Sequence, residues 1–246
     1  LGTGRTATAL SAGFGDSCAL LDNAPVKCWG GNGSGQLGYG DTADRGDDPG
    51  EMGDSLPAVN LGTGRTATAI AVGSSFSCAL LDNSAVKCWG SGTVGQLGYG
   101  NTASRGDGPG EMGDSLPEVA LGIANSATAI TAGSSHVCVR LATAAVKCWG
   151  SNGSGQLGLG DTLHRGDGSG EMGDNLPTVL LGTGRTAASV TAGSAHTCAL
   201  LDNGSVKCWG DGGSGRLGYG DGLPRGESPG EMGDSLPVVA LGTGRT

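Results

Sequence analysis

The sequence predicts an all-β fold, a β-propeller of four-stranded antiparallel blades with four 60-residue repeats in the chain. Three observations predict it. First, the chain falls on itself when shifted by 60 positions: Leu1-Gly2-Thr3-Gly4-Arg5-Thr6 returns at Leu61, Leu181 and Leu241, Cys28-Trp29-Gly30 at Cys88, Cys148 and Cys208, and Gly50-Glu51-Met52-Gly53-Asp54 at Gly110, Gly170 and Gly230. Second, each unit holds four short segments of β-type composition between turn-rich stretches. Third, the 52 glycines among 246 residues leave no helix-length stretch free of glycine between Trp29 and Leu56. Four short strands per fixed period is the pattern of a propeller blade. A linear β-solenoid, which also stacks like units, is the alternative. The repeats divide one repeat domain, 1–246, into blades 1–60, 61–120, 121–180 and 181–240, and 241–246 starts a further repeat.

Within the first unit, Ala7 to Ala12 (ATALSA) is small and β-compatible and stops at Gly13. Its alanines suit an inner strand, where converging blades leave least room. Ser17 to Leu21 (SCALL) and Val26 to Trp29 (VKCW) flank Asp22-Asn23-Ala24-Pro25, a turn sequence that joins them as a hairpin. Leu56 to Val59 (LPAV) is the fourth candidate. Its Pro57 suits an outer edge, because proline cannot donate to a central ladder.

The cysteines follow from the same register. Each unit carries one pair ten apart: Cys18 and Cys28, Cys78 and Cys88, Cys138 and Cys148, Cys198 and Cys208. In a hairpin centred on residue 23, Cys18 and Cys28 are equidistant from the turn and face each other, Leu20 opposes Val26 and Ala19 opposes Lys27. Opposed residues lie about 4.5–5.5 Å apart at Cα, within disulfide reach. Two free buried thiols per blade is the alternative. A zinc site lacks ligands, since two cysteines per unit without a local histidine fall short of four. Four disulfides would place the chain in an oxidising compartment: extracellular, periplasmic or on the cell surface.

Trp29-Gly30, followed by Gly35-Gln36-Leu37-Gly38-Tyr39-Gly40-Asp41-Thr42, together with Ala12-Gly13 before a polar loop, resembles the regulator of chromosome condensation repeat, in all four units. The form here resembles bacterial, secreted members with disulfides in their blades. The resemblance implies a propeller of four-stranded blades, usually seven to a ring. It implies little about activity, because the family spans a nuclear nucleotide-exchange factor, secreted bacterial protein inhibitors and many uncharacterised proteins. This chain departs from the family pattern in having four repeats, each with a long insert such as Arg45 to Ser55 (RGDDPGEMGDS).

Composition excludes several classes. The net charge of −9 opposes nucleic-acid binding, which needs a positive footprint. No apolar run approaches the roughly 20 residues of a membrane span, so no membrane insertion is expected. Without an initiator Met or a signal-peptide pattern, the chain reads as mature, processed or excerpted. Loose G-x-G runs lack the lysine and helix of a phosphate loop. The first repeat contains Asp41, Asp44, Asp47, Asp48, Glu51 and Asp54, which invites calcium, but only Glu51 and Asp54 recur in all units. Turn chemistry explains the others, so no cofactor or metal is expected. Arg45-Gly46-Asp47 spells an adhesion tripeptide and recurs at Arg105 and Arg165, as a repeat element would. Lys27 and Arg45 are expected to pair with Glu51 and Asp54, and Trp29 to fill the space between blades.

A residue present in every blade builds the blade, so a partner-binding residue is sought among those that vary. Positions 14–17 read FGDS, SSFS, SSHV and SAHT, positions 23–25 and 31–34 vary likewise, and all fall in loops between the expected strands. Phe14, Asp16, Phe76, His136, His196 and Asp211 are the candidate binding residues, with Arg140, His164 and Arg216 as further non-repeated polar groups. No Ser-His-Asp or Cys-His arrangement can be assembled, so no catalytic residue is assigned. The reading is a non-enzymatic secreted or surface scaffold for protein binding or assembly, self-associating as a homo-oligomer or set in a longer repeat array. A carbohydrate-binding or adhesive module of a larger surface protein, and an enzyme with its site at the propeller mouth, are the alternatives.

Overall fold

Alternation of side chains along each hairpin gives every sheet two distinct faces, and these faces organise the molecule. The structure, a computed structural model, describes residues 1–242. Residues 243–246 of the expected further repeat lie outside the described residues. Twelve strands run in chain order: β1 (Ala7–Ala12), β2 (Asp16–Leu21), β3 (Val26–Gly30), β4 (Ala67–Val72), β5 (Phe76–Leu81), β6 (Val86–Gly90), β7 (Ala127–Ala132), β8 (His136–Leu141), β9 (Val146–Gly150), β10 (Ala187–Ala192), β11 (His196–Leu201) and β12 (Val206–Gly210). They form four antiparallel sheets, ordered β1-β2-β3, β4-β5-β6, β7-β8-β9 and β10-β11-β12. The hairpin register is the expected one: Cys18 faces Cys28, Ala19 faces Lys27 and Leu20 faces Val26. All four cysteine pairs are disulfides, with Cα atoms 4.0–4.1 Å apart. No described helix is long and apolar enough to cross a membrane.

The sheets have three strands, not four. Leu56 to Val59 is not a strand, and its physical cause is Pro57, which cannot donate to a ladder. Three unrelated contacts satisfy the outer edge of β3 instead. The Val59 amide donates to the Val26 carbonyl at 2.8 Å. The Tyr39 hydroxyl donates to the Cys28 carbonyl at 2.7 Å and accepts from the Cys28 amide at 2.9 Å. Gly30 and Arg45 exchange two backbone hydrogen bonds, at 2.7 and 3.1 Å. Tyr99 and Tyr219 serve Cys88 and Cys208 in the same way.

Successive sheets pack face to face. Each presents forward its disulfide, with the side chains equivalent to Leu20 and Val26. Each presents backward the equivalents of Ala19, Leu21 and Trp29. The first junction buries Cys18, Leu20, Val26, Cys28 and Leu37 against Ala79, Leu81 and Trp89. The other two junctions repeat it around Trp149 and Trp209. These three indoles are fully buried, and each donates to a backbone carbonyl of the preceding repeat: Trp89 to Gln36 at 2.9 Å, Trp149 to Gln96 at 3.1 Å and Trp209 to Gln156 at 3.0 Å. Trp29 differs: no sheet precedes it among the described residues, and it is only half-buried.

The recurring charges brace the backbone rather than each other. Lys87 donates to the carbonyls of Leu61 and Gly113, at 3.0 and 2.7 Å, and Lys147 and Lys207 make the equivalent bonds. Lys27 donates to the Gly53 carbonyl at 2.8 Å. Arg45 pairs with Asp41 at 2.7 Å, not with Glu51 or Asp54, because the turn brings position 41 under the guanidinium. Arg165–Asp161 and Arg225–Asp221 repeat that pair. Half-exposed pairs of this kind contribute about 0–1 kcal/mol each.

Candidate functional site

The inner strands β1, β4, β7 and β10 end side by side, and the loops after them form a row along one rim of the sheets. Residues 12–14, 72–74, 132–134 and 192–194 line a depression of about 280 Å³ there. Backbone bonds tie the last three loops together: the Ser74 amide donates to the Ser134 carbonyl and the Ser134 amide to the Ser194 carbonyl, each at 3.0 Å. The hydroxyls of Ser134 and Ser194 are 2.9 Å apart. The position that is serine in the last three repeats is Phe14 in the first, and its ring is 93% exposed. A phenyl ring held out at the end of that row, beside a shallow depression, can bury apolar area against a partner.

Asp16, Phe76, His136 and His196 occupy one equivalent position, and the structure places it elsewhere than the sequence suggests. The second strand of each sheet starts at this residue, one earlier than expected, so the side chains enter the junctions instead of decorating loops. Asp16, Phe76 and His136 are buried, and His196 is half-buried. Burial pushes the Asp16 carboxyl up to about 7. The Ser77 hydroxyl gives its proton to the Gln36 carbonyl at 3.0 Å, and both Asp16 oxygens lack a donor. Burial pushes the His136 imidazole down to about 4, and the nearby His196 adds to that shift. Its Nε2 lies 2.9 Å from the Thr197 hydroxyl. Histidine beside a hydroxyl is a nucleophile–base pairing that the sequence did not reveal. His136 and Thr197 are both fully buried, out of contact with solvent.

The remaining non-repeated groups are bonded within the chain. Asp211 accepts from the Gly213 amide at 2.8 Å and pairs with Arg216 at 2.8 Å. Arg140 bridges two sheets by donating to the Ala187 carbonyl at 2.6 Å. His164 Nδ1 accepts from the Asn152 amide at 3.0 Å, as the Asp44 carboxylate accepts from Asn32 at 2.7 Å.

The long inserts are closed structures in their own right. Glu51 accepts from the amides of Gly46 and Asp48, at 2.7 and 3.2 Å, and these bonds hold its carboxyl below the usual range. Asp54 accepts from the Thr3 amide at 2.8 Å and from its hydroxyl, which lowers its carboxyl likewise. The carboxylates that recur in every repeat are thus occupied by backbone donors. Among the described residues no group of three or more His, Cys, Asp or Glu side chains is placed to hold a metal. The tripeptide arginine is occupied too, since Arg45 donates to the carbonyls of Ala43 and Asp44 at 2.7 and 3.0 Å.

Comparison with known proteins gives a consistent result. The regulator of chromosome condensation (RCC1) repeat matches residues 28–80, 86–140 and 146–200. The ultraviolet-B receptor UVR8 of Arabidopsis thaliana is 33% identical over 221 residues, which cover 88% of this chain and 44% of that protein. Human WBSCR16 is similar in structure, with a TM-score of 0.70 at 17% identity over 96% of this chain and 53% of that one. Prp20p of Saccharomyces cerevisiae, whose structure was described with its binding to Gsp1p and histones, gives a TM-score of 0.63 at 20% identity over 85% of this chain and 44% of that one. The chain spans about half the length of these proteins or less.

Proposed function

The chain belongs to the regulator of chromosome condensation repeat family, and from that premise we propose that it is a non-enzymatic, secreted or surface-exposed propeller scaffold that binds a partner protein through the inner rim around Phe14. One observation carries the reading: at the position where three repeats have serine, the first exposes a phenylalanine at 93%, at the end of the inner rim. Relatives support the class of function. The yeast RCC1 protein has been solved bound to Kap60, and its structure was described with its binding to Gsp1p and histones. The four disulfides favour an oxidising environment outside the cytosol. The net charge of −9 disfavours nucleic acid as the partner. The scaffold works without a metal or cofactor, its recurring carboxylates being spent on backbone amides. Residues 1–246 act as one repeat domain, and the uncovered faces of its first and last sheets join a second copy or further repeats.

A photo-crosslinking phenylalanine analogue at position 14 tests the reading in the extracellular fraction of the source organism. One defined protein should be captured, and Phe14→Ser should abolish its binding to the purified chain without moving the melting temperature. Unchanged binding by Phe14→Ser, or turnover of a small substrate by the purified chain, would refute it.

A further inference from the structure

Three asparagines of the chain precede glycine: Asn32, Asn152 and Asn203. The dipeptide is chemically labile, because a glycine amide nitrogen, with no Cβ beside it, can reach the Cγ of the asparagine before it. The fold separates the three. Asn32 and Asn152 are fully buried. The Asn32 side chain donates to the carbonyls of Asp41 and Ala43, at 2.9 and 3.0 Å, and accepts from the Leu37 amide at 2.9 Å. Asn152 likewise donates to the Asp161 carbonyl at 2.8 Å and accepts from the Leu157 amide at 2.9 Å. Neither side chain can turn toward the next residue without breaking these bonds. Asn203 and Gly204 are instead exposed, at the tip of the turn between β11 and β12.

The same turn occurs in every repeat, so the repeats supply internal controls. Its tip is exposed at Asn23, Asn83 and Thr143 as well, each with a further repeat after it, so the exposure of Asn203 belongs to the turn itself. The residue after the tip has a positive φ throughout: 74° at Ala24, 66° at Ser84, 63° at Ala144 and 83° at Gly204. Of these four only Gly204 lacks a Cβ. The Asn203 Oδ1 also accepts from the Ser205 amide at 3.1 Å, which draws electrons from Cγ and supports negative charge on that oxygen. Asn83 has the same kind of donor, the Ala85 amide at 3.2 Å, but serine follows it and its Nδ2 donates to Glu118 at 3.0 Å. Asn23 has Pro25 two residues on, which carries no amide hydrogen.

We infer that Asn203 is a site of spontaneous covalent modification, deamidating through a succinimide in the folded chain. The Gly204 amide nitrogen, having lost its proton to solvent base, bonds to the Asn203 Cγ. The Cγ–Nδ2 bond breaks, and Nδ2 takes up a proton and leaves as ammonia. Water then adds to one of the two ring carbonyls, and the ring opens to aspartate or isoaspartate, so one water enters for each ammonia released. The Gly204 amide donates to the Leu201 carbonyl at 3.0 Å, so opening of this one bond precedes attack. The Cys198–Cys208 disulfide closes the hairpin below the turn and keeps its strands joined whichever product forms. The product places a new carboxylate next to Asp202, which pairs with Arg185 at 3.5 Å.

Peptide mapping of the purified, disulfide-bonded chain during incubation in mildly alkaline buffer tests it, with isoaspartate and released ammonia as further readouts. The peptide containing Asn203 should gain the mass of an amide-to-acid exchange, while those containing Asn23, Asn32, Asn83 and Asn152 stay unchanged. Gly204→Ala and Gly204→Ser should each abolish the conversion. Ala24 and Ser84 hold this turn in other repeats, so both variants should fold, and their melting temperatures check that. In urea with the disulfides reduced, Asn32 and Asn152 should convert alongside Asn203, because burial and not the dipeptide separates them in the folded chain. An Asn203 that stays intact in the folded chain while the unfolded chain converts overturns the inference. So does conversion of Asn32 or Asn152 as fast as Asn203 in the folded chain, or conversion that ignores both substitutions at Gly204.

Discussion

Replacing Asp16 with Asn should change how the stability of the fold depends on pH. In the folded chain the Asp16 carboxyl is 4% exposed, and burial raises it from 3.8 to about 7. Below the lower value it is protonated whether folded or unfolded and costs nothing. As the pH rises from there to about 7, the unfolded chain releases the proton while the folded chain keeps it, so folding loses stability throughout that interval. Above about 7 the whole penalty remains. At 1.36 kcal/mol per unit, this shift is worth about 4 kcal/mol as an upper limit. The exposed carboxylates that accept backbone bonds, such as Asp54, Asp114 and Asp234, act in the opposite sense and lose stability as pH falls. Their contribution is common to both proteins and cancels in the comparison. Urea denaturation of wild type and Asp16→Asn from pH 4 to pH 8 should show the wild type losing ground steadily to the variant. A difference constant over this range, or one that grows in favour of the wild type, would refute the argument that Asp16 is an unpaired buried carboxyl.

The opposite slope is expected at the third junction. His136 is held down to about 4 from 6.5, so the wild type should lose up to about 3 kcal/mol as pH falls through that interval, and His136→Phe combined with Thr197→Val should not; the same denaturation series decides. Peptide mapping without reductant should join Cys18 to Cys28, and the other pairs likewise, with reduction costing about 2–3 kcal/mol per bond; eight alkylatable thiols in the native chain would contradict both the pairing and the oxidising location. A calcium chelator should leave the melting temperature unchanged, because Glu51 and Asp54 already hold backbone amides; a clear fall would reveal a bound ion.

The parts of the fold legible in the sequence are those fixed by short-range spacing. Cys18 and Cys28 stand equidistant from a turn, and that alone sets the hairpin register and the disulfide. The absence of a fourth strand is not legible there, because besides Pro57 it depends on groups far apart in sequence that take the edge of β3. Tyr39 reaches Cys28 and Arg45 reaches Gly30 only after the insert has folded. Arg45 pairs with Asp41 for the same reason, the turn geometry being invisible in a list of charges. The sequence did single out position 16 by its variation, as Asp, Phe, His and His. Its role stayed hidden because the partner lies 61 residues away, and only the structure shows Asp16, Phe76 and His136 to be matched to the next repeat. A comparison of position 16 with position 17 of the following repeat would have exposed the match. Phe14 was legible as an exception to its repeat, and its exposure agrees with the loop placement expected for it.

Repeated residues build the sheets, and the proposed partner site is the inner rim. Hydrogen–deuterium exchange of the chain, free and with the protein captured at position 14, tests this most directly. New protection is expected in peptides covering residues 12–14, 72–74, 132–134 and 192–194, with the inserts around Glu51, Glu111, Glu171 and Glu231 unchanged. Protection confined to those inserts, with the inner rim exchanging as in the free chain, would contradict it.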